Sequence, residues 1–218
     1  MNKKIITVLF LMGMFITVAL VASDQVEITE RTMKIQLPTF SLLNENEALD
    51  KINETLYLES FSLLKTTSVD VETDFSRWDV IDYYSQATKT FENNHLISFK
   101  MDQYLYTYRS AHGSHLYIGF VFDLETGKEL SLNEIFTVND TFLSVVKGIM
   151  QEVIKEKDIP IFDFTEFKGL DDSAESYLQN EVLVIVFQEY AYTPYVYGPL
   201  IFQIPLSEIT DFFNNKYF

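Results

Sequence analysis

One stretch near the end of the chain decides the fold: Val182-Leu-Val-Ile-Val-Phe-Gln-Glu-Tyr-Ala-Tyr-Thr-Pro-Tyr-Val-Tyr-Gly-Pro-Leu-Ile-Phe-Gln-Ile-Pro-Leu206. Its first six residues form a β-branched, apolar run that is short enough to predict a buried strand. Further on, Ile201, Gln203 and Pro205 alternate with apolar residues, which predicts a second strand. We expect the two strands to pair, so that the connection between them projects from one end of a sheet.

That connection is dense in rigid, half-polar rings. It carries four tyrosines, Tyr190, Tyr192, Tyr195 and Tyr197. Pro194 and Pro199 stiffen it and reduce the ordering cost that a flexible loop would incur on binding. Two interpretations stay open: the rings pack over the sheet edge, or they form a contact surface, because tyrosine is enriched at interfaces.

The charge of the chain excludes nucleic acid as a partner. The 218 residues include 16 Lys and Arg against 32 Asp and Glu, a formal net charge of −16. Such a surface repels nucleic acid and anionic lipid and favours cationic partners. There is no cysteine, so disulfides and thiolate metal sites are impossible. The 47% of hydrophobic residues can fill a core without them.

The N-terminal residues 1–23 predict export. Lys3 and Lys4 precede an uncharged, mainly apolar run over residues 5–22, and Val21-Ala-Ser23 is a plausible cleavage site. The run also reaches the lower limit of a membrane span. The segment is therefore a signal peptide or an N-terminal membrane anchor, and both place residues 26–218 outside the cytoplasmic membrane. Residues 5–22 are the only part expected to contact a membrane.

The rest of the chain predicts an α+β fold. Strands are expected at Thr32–Pro38, Val69–Phe75, Tyr84–Glu92, His95–Tyr108 and Leu116–Leu124. Amphipathic helices are expected at Glu45–Leu64, capped by Asn44, and at Asp140–Lys157, capped by Asn139 or Asp140. Because no repeat or Gly/Ser linker interrupts the chain, we predict one compact domain over 26–218. In it an antiparallel β-sheet has helices packed on one face.

A turn between two of the predicted strands carries two of the three histidines, His112 and His115. With a carboxylate such as Asp102 or Asp123 nearby, this His-x-x-His spacing could hold zinc. The motif, however, lacks the helix that aligns such a pair and the glutamate that would serve as base. A hydrogen-bonded turn is the alternative. If the module recognises a protein, we expect the contact to centre on Tyr192, Tyr195 and Tyr197, with His112 and His115 in the neighbouring turn. No nucleophile elbow accompanies it, so we assign no catalytic residue, no metal and no cofactor.

Several blocks together resemble the RsiV-type extracytoplasmic domain. They include Ile35-Gln-Leu-Pro38, Tyr108-Arg-Ser-Ala-His-Gly113, Phe122-Asp-Leu-Glu-Thr-Gly-Lys-Glu-Leu130 and the closing block from Phe187 to Ile204-Pro-Leu-Ser-Glu208. Their order and spacing carry the resemblance, which covers most of residues 28–212. Arg109 and Ser110 replace two glycines of the family pattern, so that turn is expected to differ in backbone.

The resemblance implies an exported binding domain of bacterial type. The family includes an anti-sigma-factor ectodomain that binds lysozyme and the N-terminal part of PdaC-type peptidoglycan deacetylases. We expect neither full role, because residues 1–4 are too few to hold a sigma factor and few residues follow Phe212. The resulting hypothesis is a non-catalytic module at the cell envelope that recognises lysozyme or cell-wall glycan. The alternative is a metal-dependent cell-wall hydrolase or deacetylase that uses His112 and His115.

Overall fold

The computed structural model of this chain describes residues 25–27, 32–36, 47–66, 80–107 and 110–218. Four predictions lie outside the described residues: the export segment 1–23, the Asn44 cap, the strand over 69–75 and the backbone at Arg109. The described part contains eight strands and four α-helices. In chain order these are β1 (Gln25–Glu27), β2 (Thr32–Gln36), α1 (Glu47–Glu59), α2 (Ser62–Thr66), β3 (Val80–Glu92), β4 (Leu96–Thr107), β5 (Ser114–Asp123), α3 (Leu132–Ile135), α4 (Asp140–Glu156), β6 (Ala174–Gln179), β7 (Val182–Phe187) and β8 (Leu200–Pro205).

The strands form two sheets. One has the order β1-β2-β3-β4-β5 and the other the order β6-β7-β8. The pairs β1/β2, β6/β7 and β7/β8 are antiparallel. The pair β2/β3 is parallel, because the chain between these strands holds α1 and α2 and so makes a crossover rather than a hairpin. The predicted α+β class is confirmed, with two sheets and one parallel pair.

Backbone proximity divides the chain into two compact units. Among the described residues, the first unit contains 25–27, 32–36, 53–66, 80–88, 101–107 and 110–116. The second contains 47–52, 89–100 and 117–218. The domain boundaries proposed from the sequence, 26 to 218, stay a prediction.

In the first unit, the helix predicted over Glu45–Leu64 is not continuous: α1 ends at Glu59 and α2 begins at Ser62. Two buried side chains bond backbone groups at the break. The Gln103 amide donates to the Glu59 carbonyl oxygen at 2.6 Å and accepts from the Leu63 N–H at 2.8 Å. The Tyr83 hydroxyl donates to the Ser60 carbonyl oxygen at 2.5 Å. These three bonds stabilise the break because they replace hydrogen bonds that a continuous helix would make.

The second unit confirms the predicted hairpin of β7 and β8. Leu183 pairs with Ile204 and Phe187 with Leu200, and all four side chains are buried on one face of the three-stranded sheet. Helix α4 packs on this face through Val146, Met150 and Ile154. The Asn139 side chain accepts a hydrogen bond from the Phe142 N–H at 2.9 Å, which confirms the predicted N-terminal cap.

Strand β6 was not predicted. Its sequence, Ala-Glu-Ser-Tyr-Leu-Gln, has no β-branched residue, so local propensity does not favour a strand. The strand is stabilised instead by pairing with β7 and by two hydrogen bonds between side chains of other strands and its backbone. The Ser98 hydroxyl oxygen accepts from the Leu178 N–H at 3.0 Å, and the Thr90 hydroxyl donates to the Leu178 carbonyl oxygen at 2.6 Å. Gly119 permits the close approach of β5, since a Cβ there would lie 2.2 Å from the Ser176 carbonyl oxygen.

Candidate functional site

The connection between β7 and β8, residues 188–199, is an ordered loop in the second unit, and we call it the tyrosine loop. Residues Tyr195–Tyr197 form a short 3₁₀ turn that begins after Pro194. The turn is closed by two backbone hydrogen bonds, from the Tyr197 N–H to the Pro194 carbonyl and from the Gly198 N–H to the Tyr195 carbonyl, both 2.9 Å. Gly198 has a φ of 80°, a conformation that glycine adopts without strain. The loop is therefore held by its own backbone bonds.

Tyr192 belongs to the core rather than to the exposed surface. Its ring packs edge-on against Phe187 and Phe167, with centroids 5.0 Å and 5.1 Å away. Its hydroxyl donates to the Asp171 carboxylate at 3.0 Å, and its carbonyl oxygen accepts from the Phe162 N–H at 2.9 Å. One residue thus joins the tyrosine loop to the connection between α4 and β6. Of the two interpretations of the tyrosines, packing over the sheet is therefore the one that applies to Tyr192.

The hydrogen bond between Tyr192 and Asp171 shifts both ionisation equilibria. Burial raises the pKa of the Tyr192 hydroxyl, and the bond to the carboxylate raises it further. Burial alone would also raise the pKa of Asp171, but hydrogen bonds from Ser173 and Tyr192 outweigh it, and the pKa of Asp171 is lowered. The pair is therefore a neutral phenol bonded to a carboxylate at neutral pH. Its geometry fits a structural bond better than acid–base chemistry.

Three tyrosines and one valine of the loop form a surface that we call the tyrosine patch: Tyr190, Tyr195, Val196 and Tyr197. The exposed fractions of Tyr190, Val196 and Tyr197 are 56%, 92% and 43%. Tyr195 is half-buried, and its ring stacks on that of Tyr190 with centroids 5.6 Å apart. Tyr190 has a φ of 67°, which is uncommon for a residue other than glycine. Residues with a strained backbone of this kind are found frequently at functional sites.

The predicted histidine turn lies in the first unit and is shorter than predicted: His112 lies in the turn, whereas His115 lies in β5, which begins at Ser114. His112 is exposed, and its Nδ1–H donates to the Gly113 carbonyl oxygen at 2.8 Å. The His115 ring lies 4.9 Å from the Tyr104 ring, centroid to centroid. A Cβ at Gly113 would lie 2.0 Å from that same tyrosine ring, so a glycine is needed there. The turn is thus organised around Tyr104. That the histidines share one surface with the tyrosine loop stays a prediction, since the two belong to different units.

Asp123, one of the carboxylates considered as a zinc ligand, lies in the second unit and makes four other interactions. Its carboxylate accepts from Lys216 Nζ at 2.5 Å, from the Tyr217 hydroxyl at 3.2 Å, and from the N–H groups of Glu125 and Thr126 at 2.9 Å and 3.1 Å. Burial alone would raise its pKa, but the hydrogen bonds from Lys216, Thr126 and Glu125, that from Lys216 foremost, lower the pKa of Asp123 to about 2. The cluster fastens the C-terminal residues to the end of β5.

No group of three or more His, Asp and Glu in the described part of the chain could hold a metal ion. No described helix is long and apolar enough to cross a bilayer. The zinc alternative at His112 and His115 stays a prediction.

The sequence analysis missed three residues beside the tyrosine loop: Phe162, Phe164 and Asp171. Phe162 and Phe164 are exposed to 61% and 37%. All three lie in the connection between α4 and β6, which has neither helical nor strand periodicity. The one signal for the two phenylalanines is that they flank an acid, Asp163, shortly after Pro160.

Residues 133–207 match the family model described as "Protein of unknown function (DUF3298)". This match contains α4, the three-stranded sheet and the tyrosine loop.

Two solved structures have a similar fold. A DUF3298 family protein from Pseudomonas aeruginosa PAO1 is 18% identical, with a TM-score of 0.61, over 85% of this chain and 86% of that one. A member of the same family from Bacteroides fragilis NCTC 9343 is 17% identical, with a TM-score of 0.55, over 85% of each chain. At this identity the likeness concerns the fold alone. No curated protein matches the chain. Membership of the RsiV-type or PdaC-type proteins in particular stays a prediction.

Proposed function

We propose that this protein is an exported, non-catalytic binding module of the bacterial cell envelope and that it contacts its partner through the tyrosine patch. One observation carries the proposal: large apolar side chains are exposed on a loop whose backbone is already ordered. The 3₁₀ turn, Pro194 and Pro199 remove most of the freedom that binding would otherwise have to restrict. Tyrosines on such a loop supply contact area at low entropic cost.

The position of the patch supports a recognition role. Tyr192 anchors the loop to the core, whereas Tyr190 and Tyr197 are exposed and the half-buried Tyr195 stacks on Tyr190. Exposed groups of rings rimmed by polar residues are typical of interaction sites. The stacked pair of Tyr190 and Tyr195 offers a flat face that suits either a protein side chain or a sugar ring.

The net charge of −16 favours a cationic partner, and lysozyme is the proposed one. Cell-wall glycan, which would stack on the tyrosines, is the alternative ligand. A salt titration separates the two. Affinity for a cationic protein falls as ionic strength rises, whereas glycan stacking changes little.

The test is Tyr195→Ala, measured by calorimetric titration with lysozyme and with soluble peptidoglycan fragments. Removing a central ring typically costs about 2 kcal/mol, so we expect affinity to fall about tenfold or more. The melting temperature should not change. The control is Tyr57→Ala, which removes an exposed tyrosine ring, 48% accessible, from helix α1. It should leave affinity intact. If neither lysozyme nor the fragments bind the unmodified protein at about micromolar concentration, the proposal is wrong.

A further inference from the structure

A second exposed aromatic element lies between α4 and β6, and we call residues 159–167 the phenylalanine segment. It is anchored at both ends, because Ile159 and Phe167 are buried in the core and Ile161 packs against it. Between these anchors, Phe162 and Phe164 are exposed to 61% and 37%. The segment is thus packed at its ends while two of its largest side chains face solvent.

Local hydrogen bonds order the middle of the segment. The Asp163 side chain accepts from the Thr165 N–H at 2.8 Å and from its hydroxyl at 2.6 Å. The Glu166 N–H donates to the Asp163 carbonyl oxygen at 3.2 Å. These bonds form a short 3₁₀ turn over Phe164–Glu166, and this turn fixes the backbone from which the two rings project.

The phenylalanine segment and the tyrosine loop are directly bonded to each other. The Phe162 N–H donates to the Tyr192 carbonyl oxygen at 2.9 Å, and the Phe167 ring packs against the Tyr192 ring. The exposed phenylalanines and the tyrosine patch therefore belong to one region of the second unit. Five of the nine large hydrophobic residues exposed in the described part of the chain lie in these two elements. That concentration separates this region from scattered surface residues.

The same region is strongly acidic. Residues 158–173 and 188–199 contain six carboxylates against Lys168, and Lys155 in the last turn of α4 adds a second cation beside Phe164. The six carboxylates are Asp158, Asp163, Glu166, Asp171, Asp172 and Glu189. The protein already places one cation on a ring here, since Lys155 Nζ lies 5.6 Å from the centroid of the Phe164 ring. A lysine or arginine of a partner could be held in the same way, between ring faces and carboxylates.

We propose that the phenylalanine segment and the tyrosine patch form one docking surface for a basic protein segment in which lysine or arginine side chains stand beside apolar ones. The apolar side chains contact Phe162 and the tyrosine patch, and the cationic groups contact the surrounding carboxylates. This inference rests on the proposed function and adds to it the second binding element and the chemistry of the partner.

The test uses the full chain and two synthetic peptides of equal length and charge, one alternating lysine with leucine and one alternating lysine with serine. Binding is measured by calorimetry at an ionic strength of ~0.15 M. We expect the lysine–leucine peptide to bind about tenfold more tightly. Phe162→Ala should weaken it about fivefold and leave the lysine–serine peptide unchanged. The control is Leu58→Ala, which removes an apolar side chain of similar exposure, 51%, from α1 and should change neither affinity.

A second pair of variants tests the charges. Glu166→Gln should weaken both peptides about twofold, whereas Glu208→Gln, an exposed carboxylate outside these two elements, should weaken neither. Equal affinity for the two peptides, or no effect of Phe162→Ala, would overturn the inference. Binding of peptidoglycan fragments that depends on Phe162 would also overturn it, because the surface would then take glycan.

Failure of this inference can be told apart from failure of the proposed function. If lysozyme binding is lost in Tyr195→Ala but unchanged in Phe162→Ala, the proposed function survives and the second element is rejected. If the unmodified protein binds neither lysozyme nor peptidoglycan fragments, the proposed function fails whatever the peptides do.

Discussion

Replacing Tyr192 by alanine should separate the structural tyrosine of the loop from the exposed ones. The ring is half-buried and contacts Phe167 and Phe187, so truncation should cost about 2–3 kcal/mol, below the range for fully buried aromatic residues. Loss of the hydrogen bond to Asp171 adds ~1 kcal/mol. Together these losses of about 3–4 kcal/mol should lower the melting temperature by about 6–16 °C for a chain of this size.

Thermal unfolding followed by circular dichroism measures this change. Tyr192→Phe keeps the ring and removes only the hydroxyl. Its free energy of unfolding should therefore fall by ~1 kcal/mol and its melting temperature by about 2–4 °C. Tyr195→Ala is the control in the same loop, and its melting temperature should equal that of the unmodified protein. A melting temperature for Tyr192→Ala within about 2 °C of the unmodified protein would refute the placement of this ring in the core.

Two further predictions concern the second unit. The folded-state pKa of Asp123, about 2, is below its unfolded value, so the stability that its charge contributes is present above about pH 4 and is lost as the pH falls towards 2. Because Lys216 is half-exposed, Asp123→Asn should lower the free energy of unfolding by only about 1–2 kcal/mol at pH 7 and by less at pH 2.5, as measured by urea unfolding. An equal loss of stability at both pH values would contradict the lowered pKa of Asp123. Gly119→Ala should cost about 2–3 kcal/mol, because its Cβ would overlap the backbone of Ser176. Gly148→Ala, in α4 with open space around it, should instead stabilise by up to ~1 kcal/mol in the same assay, and a similar response of the two glycines would count against the close approach of β5 to β6.

Much of the fold could be predicted because its signals are local. The β-branched run of β7 and the alternation in β8 place buried side chains on one face at a period of two, and the observed register follows it. Asn139 caps α4 for an equally local reason, since its side chain reaches the N–H of a residue three positions on. Such features depend on neighbours in the sequence.

Other elements depend on residues far apart in the chain. Strand β6 exists because Ser98 and Thr90 bond its backbone and β7 pairs with it. The break between α1 and α2 depends on Gln103, which lies 40 residues beyond Leu63. Periodicity cannot show either arrangement, because the partner that satisfies the backbone lies in another element.

For the candidate site, local sequence is sufficient to predict that four tyrosines share a stiff connection between two strands. Composition is sufficient to predict the acidic surface, since net charge needs no structure. The position of each ring is visible only in the folded chain, where Tyr192 packs against the core while Tyr190 and Tyr197 face solvent. The hydrogen bond from Phe162 to this loop is likewise visible only there. Composition and spacing cannot predict these positions, because the direction of a ring depends on which distant side chains fill the space around it.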